Sequence, residues 1–300
     1  MLTFEKIIAD FKQLNLNDPI GYAIPIFIVL ILIEVVIDWK EKKHWYHSTK
    51  DTLASLAMGI GSVFINLVIK FGYFFIFYYI YINFAIFAIP SAWWSWLLLL
   101  LADDFNFYWF HRNSHQIRFM WAAHSNHHSS QAYNFAVALR QSWSEASFKY
   151  LYWLWLPLLG FHPISIFIMV SLSLIYQFFL HTETVNKLGF LEWFMNTPSH
   201  HRVHHATNHQ YLDRNHAGIF IIWDRIFGTF EPESPADKPI YGLTQNLTTY
   251  NPLRIATHEY EQLWKDMQKA SLWKDKIAYL FKPPGWKHDG TGKTTKELQT

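Results

Sequence analysis

The apolar positions of this chain fall in long unbroken runs near its N-terminus and give way to a mostly polar C-terminal third. Ile20 to Ile37 is apolar except for Glu34, long enough as a helix to cross a hydrocarbon core of about 30 Å. Its lead-in, Met1 to Asp18, lacks a basic start and a small-residue cleavage site, so the run is expected to be a retained helix and not a signal peptide. Leu53 to Ile82 carries one charge, Lys70, and beyond Pro90 the stretch Ser91 to Ala102 forms a third apolar helix that runs into Asp103 and Asp104. Tyr150 to Leu180 holds no Asp, Glu, Lys or Arg in 31 residues, and Gly160-Phe161-His162-Pro163 in its middle predicts a helical hairpin. The pattern gives about five crossings, or fewer if the hairpin enters only part of the bilayer. The fold class it predicts is all-α, an integral membrane helical bundle.

Basic residues near helix ends set the orientation. Asp38 to Asp51 contains Lys40, Lys42, Lys43 and Lys50, whereas the connections Asn83 to Ser91 and Gly160 to Pro163 contain none. The Lys-rich loop is therefore assigned to the cytoplasm, and counting crossings from it brings His111 and His181 to the same side. From Val185 onward the chain reads as a cytoplasmic cap. Within it, Glu259 to Leu280 spaces Leu263, Trp264, Met267, Leu272, Trp273, Ile277 and Leu280 as an amphipathic helix, packed on the cap or lying at the interface. The tail after Trp286 is expected to be disordered.

Composition agrees with a membrane class: of 300 residues, 51% are hydrophobic and only 16% charged, against about 25% in ordinary soluble domains. The net charge of +2 gives no electrostatic case for nucleic acid. There is no cysteine, which excludes disulfides, thiolate metal sites and cysteine nucleophiles. The chain does hold 17 histidines, 13 of them between His111 and His216. Uniform scatter would place about six there.

These histidines form three boxes and a single: His111-x3-His115, His124-x2-His127-His128, His181, and His200-His201-x2-His204-His205. On a helix His111 and His115 share a face, and His124 and His201 face their partners three and four residues on. An isolated histidine is usually a surface or helix-end residue. Three boxes on one membrane face are read instead as metal ligands, and their number exceeds one tetrahedral site, so two metals are expected. Nitrogen-rich ligation suits two Fe ions, with Zn fitting as a substitute. His44, His47, His258 and His288 are expected to bind nothing, and His162 to be a turn residue on the opposite side. His209 and His216 stay unassigned.

The boxes resemble those of the fatty acid hydroxylase/sterol desaturase superfamily of membrane di-iron enzymes. Asp104 to Arg112 is similar to that family's lead-in to its first box. His127 to Ser130, Tyr133-Asn134, Ala138 to Ser142, His181-Thr182-Glu183, Asn196 to His205 and Ile222 to Phe230 are similar to its alkylglycerol monooxygenase branch. The resemblance covers roughly residues 50 to 250. This chain departs from it at Gln116 and Gln131, where glutamates are expected, and near His216, where a tyrosine is expected. The resemblance implies an iron-dependent oxygenase that uses dioxygen to hydroxylate a lipid alkyl chain held in an apolar tunnel. In the alkylglycerol branch the target is the ether-linked carbon and a tetrahydropterin is the reductant. Other branches hydroxylate or desaturate fatty acids or sterols, and an electron-donor protein such as a cytochrome or ferredoxin serves them.

On this reading residues 1–110 are N-terminal transmembrane helices, 111–232 a catalytic domain including a transmembrane hairpin at 143–181, and 233–300 a cytoplasmic tail. Asp104 lies seven residues before His111 on the same face and is a candidate to orient a ligand imidazole. Asn134 and Glu183 are candidates to support the site or meet substrate, against local capping. Arg140 and Arg202 are read as partners of carboxylates or lipid phosphate, or as snorkelling side chains. Trp223-Asp224-Arg225 reads as a structural corner. Two non-enzymatic alternatives stay open, a divalent-metal transporter and a silent lipid-binding scaffold.

Overall fold

The computed structural model describes residues 19–43 and 48–299. Met1 to Asp18, His44 and His47 lie outside the described residues. Among the described residues the chain is all-helical, and its only β features are the isolated bridges Ala206 with Tyr241 and Ser234 with Asp237.

Two helices are long and apolar enough to cross a membrane, α1 (Pro19–Glu41) and α2 (Thr49–Phe84). At 1.5 Å per residue they extend for about 35 and 54 Å. Core helices of soluble proteins pass the same test, but those are buried. Here Leu32 on α1 is 58% exposed and Val68 on α2 is 73% exposed, so these faces require an apolar surrounding that the chain does not supply. Ser48 caps α2 by accepting a hydrogen bond from the Asp51 amide.

The helix α3 (Trp93–Gln116) joins the apolar run to the first box without a break: Leu97 and Leu98 are exposed, whereas Asp103, Asp104, His111 and His115 are buried. Ile117, in an extended conformation, ends it and starts α4 (Arg118–His128), which folds back along α3 and carries the second box.

The expected hairpin at 150–180 turns where Gly160 and Pro163 predicted, and its arms are shorter than the two long apolar helices. The first arm breaks into short turns at Ala146–Lys149, Tyr150–Trp153 and Trp155–Leu159. The second, α5 (Pro163–Phe178), is 16 residues long, capped by the His162 side chain, and has Ile164, Ile166, Phe167 and Val170 buried. Gly160 has φ +112°, and a Cβ there would collide with the Phe87 carbonyl, so only glycine lets the turn dock on the 83–91 connection. Ile86 and Phe87 donate to the carbonyls of Leu158 and Leu159 across that contact. Part of the 150–180 run builds the core: Phe77 of α2, Leu99 and Phe110 of α3, Trp153, Leu156 and Phe167 pack together.

The third box lies on α6 (Pro198–His204), and α7 (Ile222–Ile226) forms the corner at Trp223 to Arg225. The amphipathic segment at the C-terminus is two helices, α8 (Pro252–Lys269) and α9 (Trp273–Phe281), separated at Ala270 to Leu272. They pack on α4, and Arg118 of α4 bonds Glu259 at 3.0 Å and Asp266 at 2.8 Å. The tail after Trp286, expected to be disordered, is ordered instead. Thr294 and Glu297 form a capping box on α10 (Thr295–Leu298), and the Gln299 side chain donates to the carbonyls of His209 and Leu212.

Candidate metal centre

The boxes converge on two adjacent groups. His111 and His115 from α3, His124 and His128 from α4 and His204 from α6 place five ring nitrogens within 4.8 Å of one another. His127, His181, His201 and His205 do the same with four. All nine side chains are between 2% and 7% exposed.

The facing atoms are Nε2. His111 and His124 bring theirs to 2.9 Å, and His124 and His128 to 3.2 Å. In the second group the separations are 3.0 Å for His181 and His127, 3.1 Å for His201 and His181, and 3.2 Å for His205 and His201. Ligands on one metal with bonds of about 2.1 Å stand roughly 3.0 to 3.4 Å apart when adjacent, so these spacings fit shared ions.

On the other side of the rings, oxygens hold Nδ1. His111 bonds the His216 carbonyl at 2.7 Å, His204 the Arg214 carbonyl at 2.9 Å, His181 the Gln177 carbonyl at 2.8 Å and His127 the Arg140 carbonyl at 3.3 Å. His124 faces Glu145 at 3.2 Å and His115 faces Asp213 at 3.3 Å. An acceptor at Nδ1 selects the tautomer whose Nε2 lone pair points inward.

Burial, then the neighbouring imidazoles, pushes His111, His115, His128, His201 and His205 well below the usual histidine range. Burial takes His181 down to about 4. Neutral imidazole is the ligating form, and Nε2 of His115 and of His204 is buried without a hydrogen-bond partner. A donor set that is neutral, convergent and partly orphaned fits two cations.

Other candidates sit elsewhere. His200, read as a ligand, falls outside both groups; successive residues on α6 point about 100° apart, and its ring packs on Phe230 with Nε2 3.9 Å from Glu192. Asp104 does not orient an imidazole. Its carboxylate accepts from the amides of Ile219 and Phe220 at 2.6 and 2.9 Å and from the Trp223 indole at 2.9 Å, which ties α3 to the corner. Asn134 caps a local turn through Ala136 and Val137, and Glu183 accepts from the Tyr241 hydroxyl.

Arg140 is held by Asp51, Ser55 and Ser129, and Arg202 by both oxygens of Glu233. His258 and His288 lie outside both groups, and His162 caps α5 as a turn residue. Glu145, Asp213 and the carbonyls behind the imidazoles escaped the sequence reading, because contacts between residues as far apart as His115 and Asp213 leave no local periodicity.

One cavity reaches the site and a second lies near it. The first, of about 120 Å³, is lined by His115, His128, His204 and His205 and walled by Lys293 and Thr295 of the tail. An apolar one of about 510 Å³ lies between α1 and the segment beside His181, lined by Leu30, Ile33, Phe135, Phe179 and Leu180. At its wall, buried Glu34 accepts hydrogen bonds from the Phe135 amide at 2.8 Å and from the Thr182 hydroxyl.

Residues 96–229 match the fatty acid hydroxylase family model. The match covers all three boxes, in line with their resemblance to this family. Among curated relatives, the chain is 40% identical over 278 residues to an alkylglycerol monooxygenase of Homo sapiens, covering 92% of this chain and 61% of that protein. It is 38% identical over 288 residues to an alkylglycerol monooxygenase of Xenopus tropicalis, covering 95% and 63%. Ornithine lipid hydroxylase OlsE of Rhizobium tropici is 28% identical over 151 residues, covering 49% and 45%. The chain thus spans about three fifths of the length of these two alkylglycerol monooxygenases. No solved structure gives a significant match.

Proposed function

We propose that this chain is a membrane di-iron monooxygenase that hydroxylates a lipid alkyl chain, with the ether-linked carbon of an alkylglycerol as the first substrate to test. The observation that carries the reading is the pair of adjacent groups holding five and four buried imidazoles. His111, His115, His124, His128 and His204 would hold one iron, and His127, His181, His201 and His205 the other. Iron so held supplies the activation of dioxygen that an unactivated C–H bond requires. The Nδ1 acceptors fix the rings of His111, His115, His124, His127, His181 and His204 before metal arrives, so these need little reorganisation.

The chain's own residues also supply substrate position. The apolar cavity opens beside α1, a helix with an exposed apolar face, so an alkyl chain reaches it from the bilayer without crossing water. Hydroxylation places one oxygen atom in the C–H bond and reduces the other to water with two electrons. At an ether-linked carbon the product is a hemiacetal, which falls apart to aldehyde and glycerol derivative. The electrons come from a tetrahydropterin or an electron-donor protein, and the smaller cavity beside His115 and Lys293 provides an approach to the first metal group.

The basic loop after α1 supports a cytoplasmic position for the boxes. A cysteine introduced at the exposed Lys274 should react with an impermeant reagent only from the cytoplasmic face; reaction only from the other face contradicts that orientation. The activity is tested by giving iron-loaded protein an alkylglycerol with a pterin, and separately with a ferredoxin system, and following aldehyde release. Aldehyde in either arm supports the reading. A hydroxylated or newly desaturated fatty acid or sterol, with no aldehyde, moves the chain to another branch. No dioxygen consumption with any lipid overturns the enzyme.

A further inference from the structure

His216, like His200, is a buried histidine outside both metal groups. Its side chain is fully buried, and both of its ring nitrogens, against only Nδ1 of His200, are buried without a hydrogen-bond partner among the described residues. Buried polar side chains are nearly always paired, so an imidazole with both nitrogens open requires a reason.

The backbone around it is fixed with unusual thoroughness. Asp213 and Asn215 both adopt left-handed φ values of 55°, a conformation that Asp and Asn tolerate better than other side chains. The Asn215 amide donates to the carbonyls of His200 and Glu231, the His216 amide donates to Asp224 at 2.8 Å, and the His216 carbonyl accepts from His111. Such a loop aims the ring at one place. That place is the rim of the five-histidine group, with ring centres 5.1 Å from His115, 5.7 Å from His204 and 5.9 Å from His111. Members of the group are spaced alike: His115 and His124 lie 5.0 Å apart, His111 and His115 5.4 Å.

The Nδ1 side of the ring repeats the pattern of the ligands. Each anchored imidazole in the groups turns Nδ1 to an oxygen and Nε2 inward, and His216 has Asp224 Oδ1 3.7 Å from its Nδ1. We infer that His216 supplies Nε2 as a sixth imidazole to the first metal group, from the side of His111, His115 and His204. This rests on the two-metal reading above. It makes the two ions unequal: the first is surrounded by six nitrogens, and the second, with four, keeps the open positions that a catalytic metal needs.

Cobalt(II) is the probe, because its visible absorption is weak in six-coordinate sites and stronger at lower coordination. The full chain is loaded with cobalt, and bound metal, the visible spectrum and cobalt retention against a chelator are recorded. His216→Ala should still bind two cobalt ions, absorb more strongly, and release one of them at about tenfold lower chelator concentration. Added imidazole should reverse both changes by filling the space the variant opens. His216→Gln keeps the side-chain volume without the ring nitrogen and should show the same spectral change, which guards against misfolding in the alanine variant. A spectrum and retention identical to the parent in both variants overturns the assignment and leaves the two-metal site standing. A parent chain that binds no cobalt overturns both.

Discussion

Nε2 of His111 on α3 and Nε2 of His124 on α4 face each other at 2.9 Å inside the protein, each ring anchored from behind by an oxygen. Two imidazole nitrogens so close need a proton or a cation between them, and three further imidazoles converge on the same point. The groups should therefore lose metal independently. His124→Ala is expected to leave about one metal per chain from the second group, and His201→Ala about one from the first. Elemental analysis of folded variants checks this; loss of all metal in both would mean the two groups are a single site.

Asp104 holds two backbone amides and an indole, so its role is in the corner and not in ligation. Asp104→Ala leaves three buried donors unpaired, at about 1–3 kcal/mol each. The variant should unfold at markedly lower temperature while its folded fraction retains full metal content. Metal loss without loss of thermal stability would return Asp104 to the metal site.

Glu34 joins α1 to the segments next to Tyr133 and His181 through Phe135 and Thr182. Glu34→Leu should cost about 2–4 kcal/mol by orphaning both donors, whereas Glu34→Gln keeps an acceptor oxygen and should cost less. Thermal unfolding in detergent measures the difference. Equal stability of the two variants would show that the buried hydrogen bonds contribute nothing.

Much of the centre was legible because helical spacing is local. His111 and His115, and His124 and His128, are one turn apart, and that periodicity alone puts each pair on one face. The separation of His200 from His201 was not legible, since it depends on where α6 meets the other helices. The breaks in the apolar run at 150–180 were only partly legible: Gly160 and Pro163 mark the turn, whereas the division of the first arm into short helices and the packing of Ile166 and Phe167 depend on contacts with distant helices. The polar tail reads as disorder by composition, yet the cap between Thr294 and Glu297 and the bonds of Gln299 order it.

Filling the apolar cavity should change chain-length preference. Ile33→Trp narrows the space beside α1, and Leu180→Trp does so nearer His181. Both variants should favour shorter alkyl chains, by about tenfold or more in relative kcat/KM, with metal content unchanged. A length profile that matches the parent in both would place the alkyl chain elsewhere.

The two-metal centre is tested most directly by counting metal in the full chain, purified without chelator from cells supplied with iron. The arrangement of His111, His115, His124, His128 and His204 beside His127, His181, His201 and His205 predicts two metal ions per chain, predominantly iron. One ion per chain, unchanged by further iron, would contradict it.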